Sequence, residues 1–110
     1  DYNPHLALYG LSGSLSLVAA ERRGLRAVAE AFADRAYTAD GVLSARSLPG
    51  SVLSTREEIT AQYLAITEGR AVNTLEEKPG PIVRASTICV HSDSPHALQT
   101  LKWISELTPR

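Results

Sequence analysis

The run Thr87-Ile88-Cys89-Val90-His91-Ser92-Asp93-Ser94-Pro95 changes character halfway along. Its first four residues are apolar or β-branched and predict a buried strand. Its last two predict a helix start, with Ser94 as N-cap and Pro95 in the first helical position. Beyond them Leu98, Leu101, Ile104 and Leu107 recur at helical spacing. A strand that runs within a few residues into a helix is the unit from which α/β folds are built.

The same unit recurs towards the N-terminus. Leu6-Ala7-Leu8-Tyr9, ended by Gly10, predicts a strand. The loop Gly10-Leu11-Ser12-Gly13-Ser14 leads into a helix from Leu15 to Arg23, stopped by Gly24. Residues 25–31 predict the next strand. Residues 32–53 have no clear period and contain the turn signals Asp40-Gly41 and Pro49-Gly50. A loop of that length inside a compact domain often has a function of its own. Ser54-Thr55-Arg56-Glu57 matches a capping box, with Ser54 as N-cap. The helix it starts should run to about Glu68, bury Ile59, Tyr63 and Ile66, and stop at Gly69. Residues 71–84 predict a hairpin or an irregular excursion around Lys78-Pro79-Gly80-Pro81. The order is strand, helix, strand, long loop, helix, excursion, strand, helix, which predicts an α/β fold with a parallel sheet.

Bulk properties narrow the function classes. The 110 residues suit one small domain. They fall well short of the roughly 250 that a closed eight-stranded α/β barrel takes. Apolar residues make up 44%, which argues against disorder. A net charge of -1 with interspersed signs, and 5% aromatics, argue against a nucleic-acid surface. The apolar runs are too short to span a bilayer, so no membrane role is expected. The lone Cys89 has no internal disulfide partner, which fits a reducing compartment, with a cytoplasmic location expected, or simple indifference to redox. The sequence has no methionine and opens on Asp1, so either a processed product or, the reading favoured here, a piece of a longer protein is expected.

In parallel α/β folds functional groups gather at the C-terminal ends of the strands. Three clusters fall there. The loop of residues 10–14 could hold an anion on its amides, or be a tight turn with an N-cap. Glu30-Ala31-Phe32-Ala33-Asp34-Arg35-Ala36-Tyr37 offers Asp34 as a base or an orienting group and Arg35 as a fork for carboxylate or phosphate. The alternative there is a structural Asp34–Arg35 ion pair. His91 and Asp93 could move protons or ligate a metal, or Asp93 could merely cap the last helix. Cys89 shares a strand face with His91, but its place in an apolar run points to core rather than nucleophile. Tyr37 and Arg46 could touch a ligand or serve the loop.

These residues resemble the LamB/YcsF family. The match is carried by Phe32-Ala33-Asp34-Arg35-Ala36-Tyr37 with Asp40-Gly41, by Arg46-Ser47-Leu48-Pro49-Gly50, and by Ile88-Cys89-Val90-His91-Ser92-Asp93. Ser92 stands where the family usually has glycine, and the acidic and histidine motifs of the family's N-terminal half are absent. The resemblance implies part of a seven-stranded (β/α) barrel-like fold akin to glycoside hydrolases and deacetylases, incomplete in this chain. The stretch 1–110 would then be a single α/β domain or the C-terminal half of a barrel. It also implies the chemistry of the A component of 5-oxoprolinase. That component, with its B and C partner subunits, opens 5-oxo-L-proline to L-glutamate at the expense of ATP, with Mg2+ expected alongside.

On that basis Asp34, Arg35, His91 and Asp93 are the expected catalytic residues. Ser12, Glu30, Tyr37 and Arg46 are the expected contacts to a small-molecule lactam; the resemblance names no metal ligands. Two readings compete. In one the chain is part of an enzyme subunit, inactive alone. In the other it is a non-catalytic half-barrel that binds or assembles partners: the missing N-terminal half, a second copy, or the B and C subunits. A nucleotide-binding domain built on residues 10–14 would need a phosphate fingerprint that is not there.

Overall fold

The computed structural model describes residues 6–75, 80–91 and 96–107. The elements follow the order β1 (Ala7–Leu11), α1 (Leu15–Arg22), β2 (Arg26–Phe32), α2 (Arg56–Thr67), β3 (Thr87–Cys89) and α3 (Ala97–Leu107). The three strands form one sheet in the order β1-β2-β3, parallel throughout. The α/β fold with a parallel sheet is therefore as expected from the alternation of periods.

Several boundaries differ for local reasons. β1 runs through Gly10 to Leu11, because Gly10 and Leu11 pair with Ala29 and Glu30. The chain turns only afterwards, where Ser14 N–H donates to the Leu11 carbonyl around Gly13. The N-cap of α2 is Thr55 rather than Ser54: Thr55 Oγ1 accepts from the Glu58 amide at 3.2 Å and donates to the Glu58 carboxylate. The N-cap is thus shifted by one residue, and the glutamate returns to the cap hydroxyl rather than to its backbone N–H as a full capping box would. The expected Ser94 and Pro95 start of α3 lies outside the described residues.

α1 and α2 end in the same way. Leu25 N–H reaches back to the Ala20 carbonyl and Gly24 N–H to Glu21; Arg70 N–H reaches Ala65 and Gly69 N–H reaches Ile66. This is the Schellman arrangement, and it puts Gly24 and Gly69 at positive φ, where only glycine sits without strain. Each helix is thereby stopped within two residues.

The core lies on one face of the sheet. Ala31 and Ala33 from the end of β2, with Ile88 of β3, meet Ile59, Tyr63, Ala65 and Ile66 of α2. The apolar face expected for α2 is therefore the buried one. Val72 and Val83 of the excursion and Tyr37 of the long loop close one side of this core, and Trp103, Ile104 and Leu107 of α3 close the other. The stripe expected on α3 is split. Ile104 and Leu107 pack inward, whereas Leu98 and Leu101 are 85% and 52% exposed.

Residues 33–53 are irregular but not loose. Isolated bridges join Arg35 to Val52 and Tyr37 to both Leu43 and Thr74. Gln62 of α2 donates its amide N–H groups to the Phe32 and Arg35 carbonyls at 2.8 and 2.5 Å. One buried amide thus satisfies two backbone acceptors that leave the sheet, as a buried loop requires.

Candidate functional site

Side chains two apart on a strand share a face, and register carries that face to the neighbour. Phe32 pairs with Cys89, so Glu30 and Phe32 of β2 lie on the same side as Cys89 and His91. The helices pack on the opposite side, against Ala31 and Ile88. Contacts realise the shared face. Cys89 Sγ donates to Glu30 Oε2 at 2.9 Å, and the Phe32 and His91 rings stack with centroids 4.7 Å apart.

Asp34 completes the group from just past the end of β2. Its carboxylate is almost wholly buried and both oxygens go to His91. Oδ2 accepts the His91 backbone N–H at 2.8 Å, and Oδ1 lies 3.1 Å from Nδ1. An ionised carboxylate can only accept, so a proton belongs on Nδ1, and in the neutral imidazole Nε2 then carries the lone pair. The imidazole is about one-quarter exposed. The arrangement is that of a histidine base held in one tautomer by a buried acid and in one ring orientation by an aromatic face.

The sequence neighbours of Asp34 have other occupations. Arg35 is buried and donates from Nη2 to the Ser44 carbonyl at 2.6 Å. Its Nε is buried with no partner among the described residues. The structure therefore pairs Asp34 with His91 rather than with Arg35, and Arg35 ties the long loop to itself. Tyr37, expected at a ligand, is wholly buried, and its hydroxyl accepts the Phe32 amide at 2.9 Å. Burial pushes its phenol above the usual range. As folded, Tyr37 is a strut beneath Asp34. Arg46 lies on the exposed part of the loop, and its carbonyl accepts from Ser51 Oγ. Ser12 donates its backbone N–H to Glu30 and its hydroxyl to the Arg84 carbonyl. It lines a separate cleft of about 290 Å³ with Ser14, Asp40 and Ile82. Asp93 lies outside the described residues.

Cys89 is not a nucleophile at neutral pH in this setting. Burial, and then its hydrogen bond to the Glu30 carboxylate, push its thiol up to about 11. Among the described residues no group of three or more His, Cys, Asp or Glu gathers as a metal site. Both Asp34 oxygens are already taken by His91. No helix among the described residues is long and apolar enough to cross a membrane.

Two contributors were not singled out from sequence. Gln62 could have been found as the single amide on the apolar stripe of Ile59, Tyr63 and Ile66. Phe32 stood in the motif that carries the family resemblance but was given no role, since its contact is with a ring 59 residues away in the chain.

Both the sequence and the fold of this chain have known relatives. The model of the LamB/YcsF family matches residues 1–109. The chain is 41% identical over 106 residues to a protein named as the A component of 5-oxoprolinase from Haemophilus influenzae (strain PittGG), covering 96% of this chain and 43% of that protein. In structure it superposes on the lactam utilization protein from Thermus thermophilus with a TM-score of 0.77 at 34% identity, covering 96% of this chain and 42% of that one. The chain thus spans a little over two-fifths of the length of these relatives. A match that runs over nearly every residue, including the strand ends that hold Asp34 and His91, leaves one assignment: the chain belongs to the LamB/YcsF family.

Proposed function

We propose that this chain is the C-terminal part of a 5-oxoprolinase A subunit, and that it contributes His91 and Asp34 to the ATP-dependent opening of 5-oxo-L-proline to L-glutamate. The observation that carries the reading is the doubly bonded Asp34–His91 pair at the strand ends. It occurs in a chain 41% identical to a protein that bears the name of that component.

The uncatalysed difficulty is attack of water on an amide carbonyl. His91 Nε2 accepts a proton from that water as the oxygen bonds to the lactam carbon. Asp34 stabilises the imidazolium so formed, and Phe32 keeps the ring from turning away. The C–N bond then breaks and the ring nitrogen leaves as the amine, taking up the proton. ATP would supply the drive: transfer of its γ-phosphoryl group to the lactam oxygen would release ADP, ring opening would leave an acyl phosphate, and a second water would hydrolyse that to glutamate and orthophosphate. In this reading Arg46, on the exposed loop, neutralises phosphate or the substrate carboxylate, while Arg35 fixes the loop that presents Asp34. Asp93, two residues beyond His91, serves proton transfer or water. Ser12 and Glu30 contribute to lactam binding.

The B and C subunits complete the reaction, and the three parallel strands form an arc of a seven-stranded barrel in a cytoplasmic enzyme. The exposed apolar groups at the two ends of that arc support this. Leu8, Tyr9, Leu15 and Val18 flank β1 and α1 at one end, and Leu98 and Leu101 face outward from α3 at the other. The same observation also favours the second reading, an assembly module that uses these flanks without catalysing anything.

Glutamate release from 5-oxoproline and ATP separates the two. The full-length A subunit with B and C should turn over, and His91→Ala should lower its rate on the order of a hundredfold or more. The 110-residue chain in place of the full-length subunit should release no glutamate. Unchanged turnover in full-length His91→Ala would leave only the assembly role.

A further inference from the structure

Glu30 is a carboxylate in the body of a β-strand, partly shielded from water, on the face that carries His91. A charge in that position is costly unless donors compensate it. Among the described residues its carboxylate has one side-chain partner, the Cys89 thiol at 2.9 Å, and no lysine or arginine. A thiol is a weak donor. The carboxylate is therefore held in place but left under-compensated, which suits an acceptor waiting for a donor from a ligand.

We infer that Glu30 accepts the ring N–H of the lactam and that Cys89 is the positioning residue that aims it. The inference rests on the reading of this chain as part of a 5-oxoprolinase. At neutral pH 5-oxoproline carries an ionised carboxylate, a carbonyl and a ring N–H, so the ring nitrogen is its only donor. An anionic side chain on the site face can take that group and repels the other two. The ring nitrogen is bonded to the carbon that water must attack. Cys89, midway between the two, sets the spacing: it touches Glu30 and stands two residues before His91 on the same face. Glu30 thus reads the nitrogen while His91 serves the adjoining carbon. The thiol stays protonated to do this, in keeping with its raised ionisation.

Two measurements test the pair. The first needs no activity. In the 110-residue chain Cys89 is the single thiol, and its ionisation can be followed by thiolate absorbance. Glu30→Gln should lower that midpoint from about 11 towards 9.0, with circular dichroism showing that the variant is folded. The second uses the full-length A subunit with B and C. Glu30→Gln and Cys89→Ala should each raise KM for 5-oxoproline roughly tenfold with a smaller change in kcat, as for loss of one oriented hydrogen bond. Cys89→Ser keeps a donor and should recover most of the Cys89→Ala loss. The inference is overturned if the thiol midpoint ignores Glu30→Gln. It is also overturned if Cys89→Ala and Cys89→Ser share one KM with wild type. If the thiol midpoint moves as expected but the wild-type complex releases no glutamate, the functional reading itself fails and the lactam contact falls with it.

Discussion

The loop that leaves β2 and the flanks of the sheet are opposites in how completely they are held. Ala33, Ala36 and Tyr37 are at most 3% exposed, and Gln62, Ser44 and Ser51 supply hydrogen bonds to a backbone with no regular structure. On the flanks, regular elements display large apolar side chains: Leu15 on α1 is 86% exposed and Leu98 on α3 is 85%. An irregular segment is costly to order, because each residue loses about 1–2 kcal/mol of backbone entropy without a helix or sheet ladder to offset it. Around Asp34 that cost is met. The contrast sets a tightly held segment around Asp34 against flanks whose large apolar side chains are exposed.

The first way to break the comparison is to empty the loop. Tyr37→Ala removes a wholly buried ring and the acceptor for the Phe32 amide, and should cost about 3–5 kcal/mol. Urea denaturation of the chain measures it; a loss below about 1 kcal/mol would mean that the loop is not the rigid region described.

The flanks should respond to context instead. Leu98→Lys together with Leu101→Lys should change the stability of the 110-residue chain by no more than about 0.5 kcal/mol, because both side chains are more exposed than buried. In the full-length A subunit of which we propose this chain is part, the same pair should cost about 1.5–3 kcal/mol per side chain if the flank is covered there. Equal small effects in both settings would remove the barrel-arc proposal.

The smallest effect is a pH dependence. Cys89 has its folded ionisation raised, so its contribution to stability is fully present below 9.0 and is lost as pH rises through about 11. Burial of Tyr37 acts in the same direction above pH 10.0. Melting temperature should therefore fall across this alkaline window, and less steeply in Cys89→Ser. A melting temperature that rises between pH 9 and 11 would contradict the assigned protonation of the thiol.

Much of the fold was legible in the sequence because it is written in local signals. Gly24 and Gly69 end helices through bonds to residues a few positions away, and α2 buries the stripe that its spacing announces. The misplacements also have local causes. Ser54 and Thr55 each have a glutamate three residues on, so either fits a capping box, and only the chain's entry angle selects Thr55. Gly10 resembles a strand end, yet a parallel ladder needs only its backbone. The site was legible as residues and not as pairs. Adjacent charges suggested Asp34 with Arg35, whereas the true partner, His91, is 57 positions away and reached only through strand register. The stripe of α3 could not be divided into covered and exposed halves, because periodicity reports a face and not the neighbour that fills it.

The central claim is that Asp34 fixes the proton on His91 rather than merely filling the loop, and Asp34→Asn tests it most directly. An asparagine can accept one of the two His91 bonds but must offer its NH2 to the other. With the backbone N–H still accepted at one oxygen, the ring is pushed to the tautomer that carries its proton on Nε2, where it can no longer act as a base. The measurement is a melt and a glutamate-release assay on the full-length variant with its partner subunits. The account predicts a stability loss of no more than about 1 kcal/mol and a rate lower on the order of a hundredfold or more. A large fall in melting temperature with near-normal turnover of the surviving enzyme would contradict it and make Asp34 a structural residue of the loop.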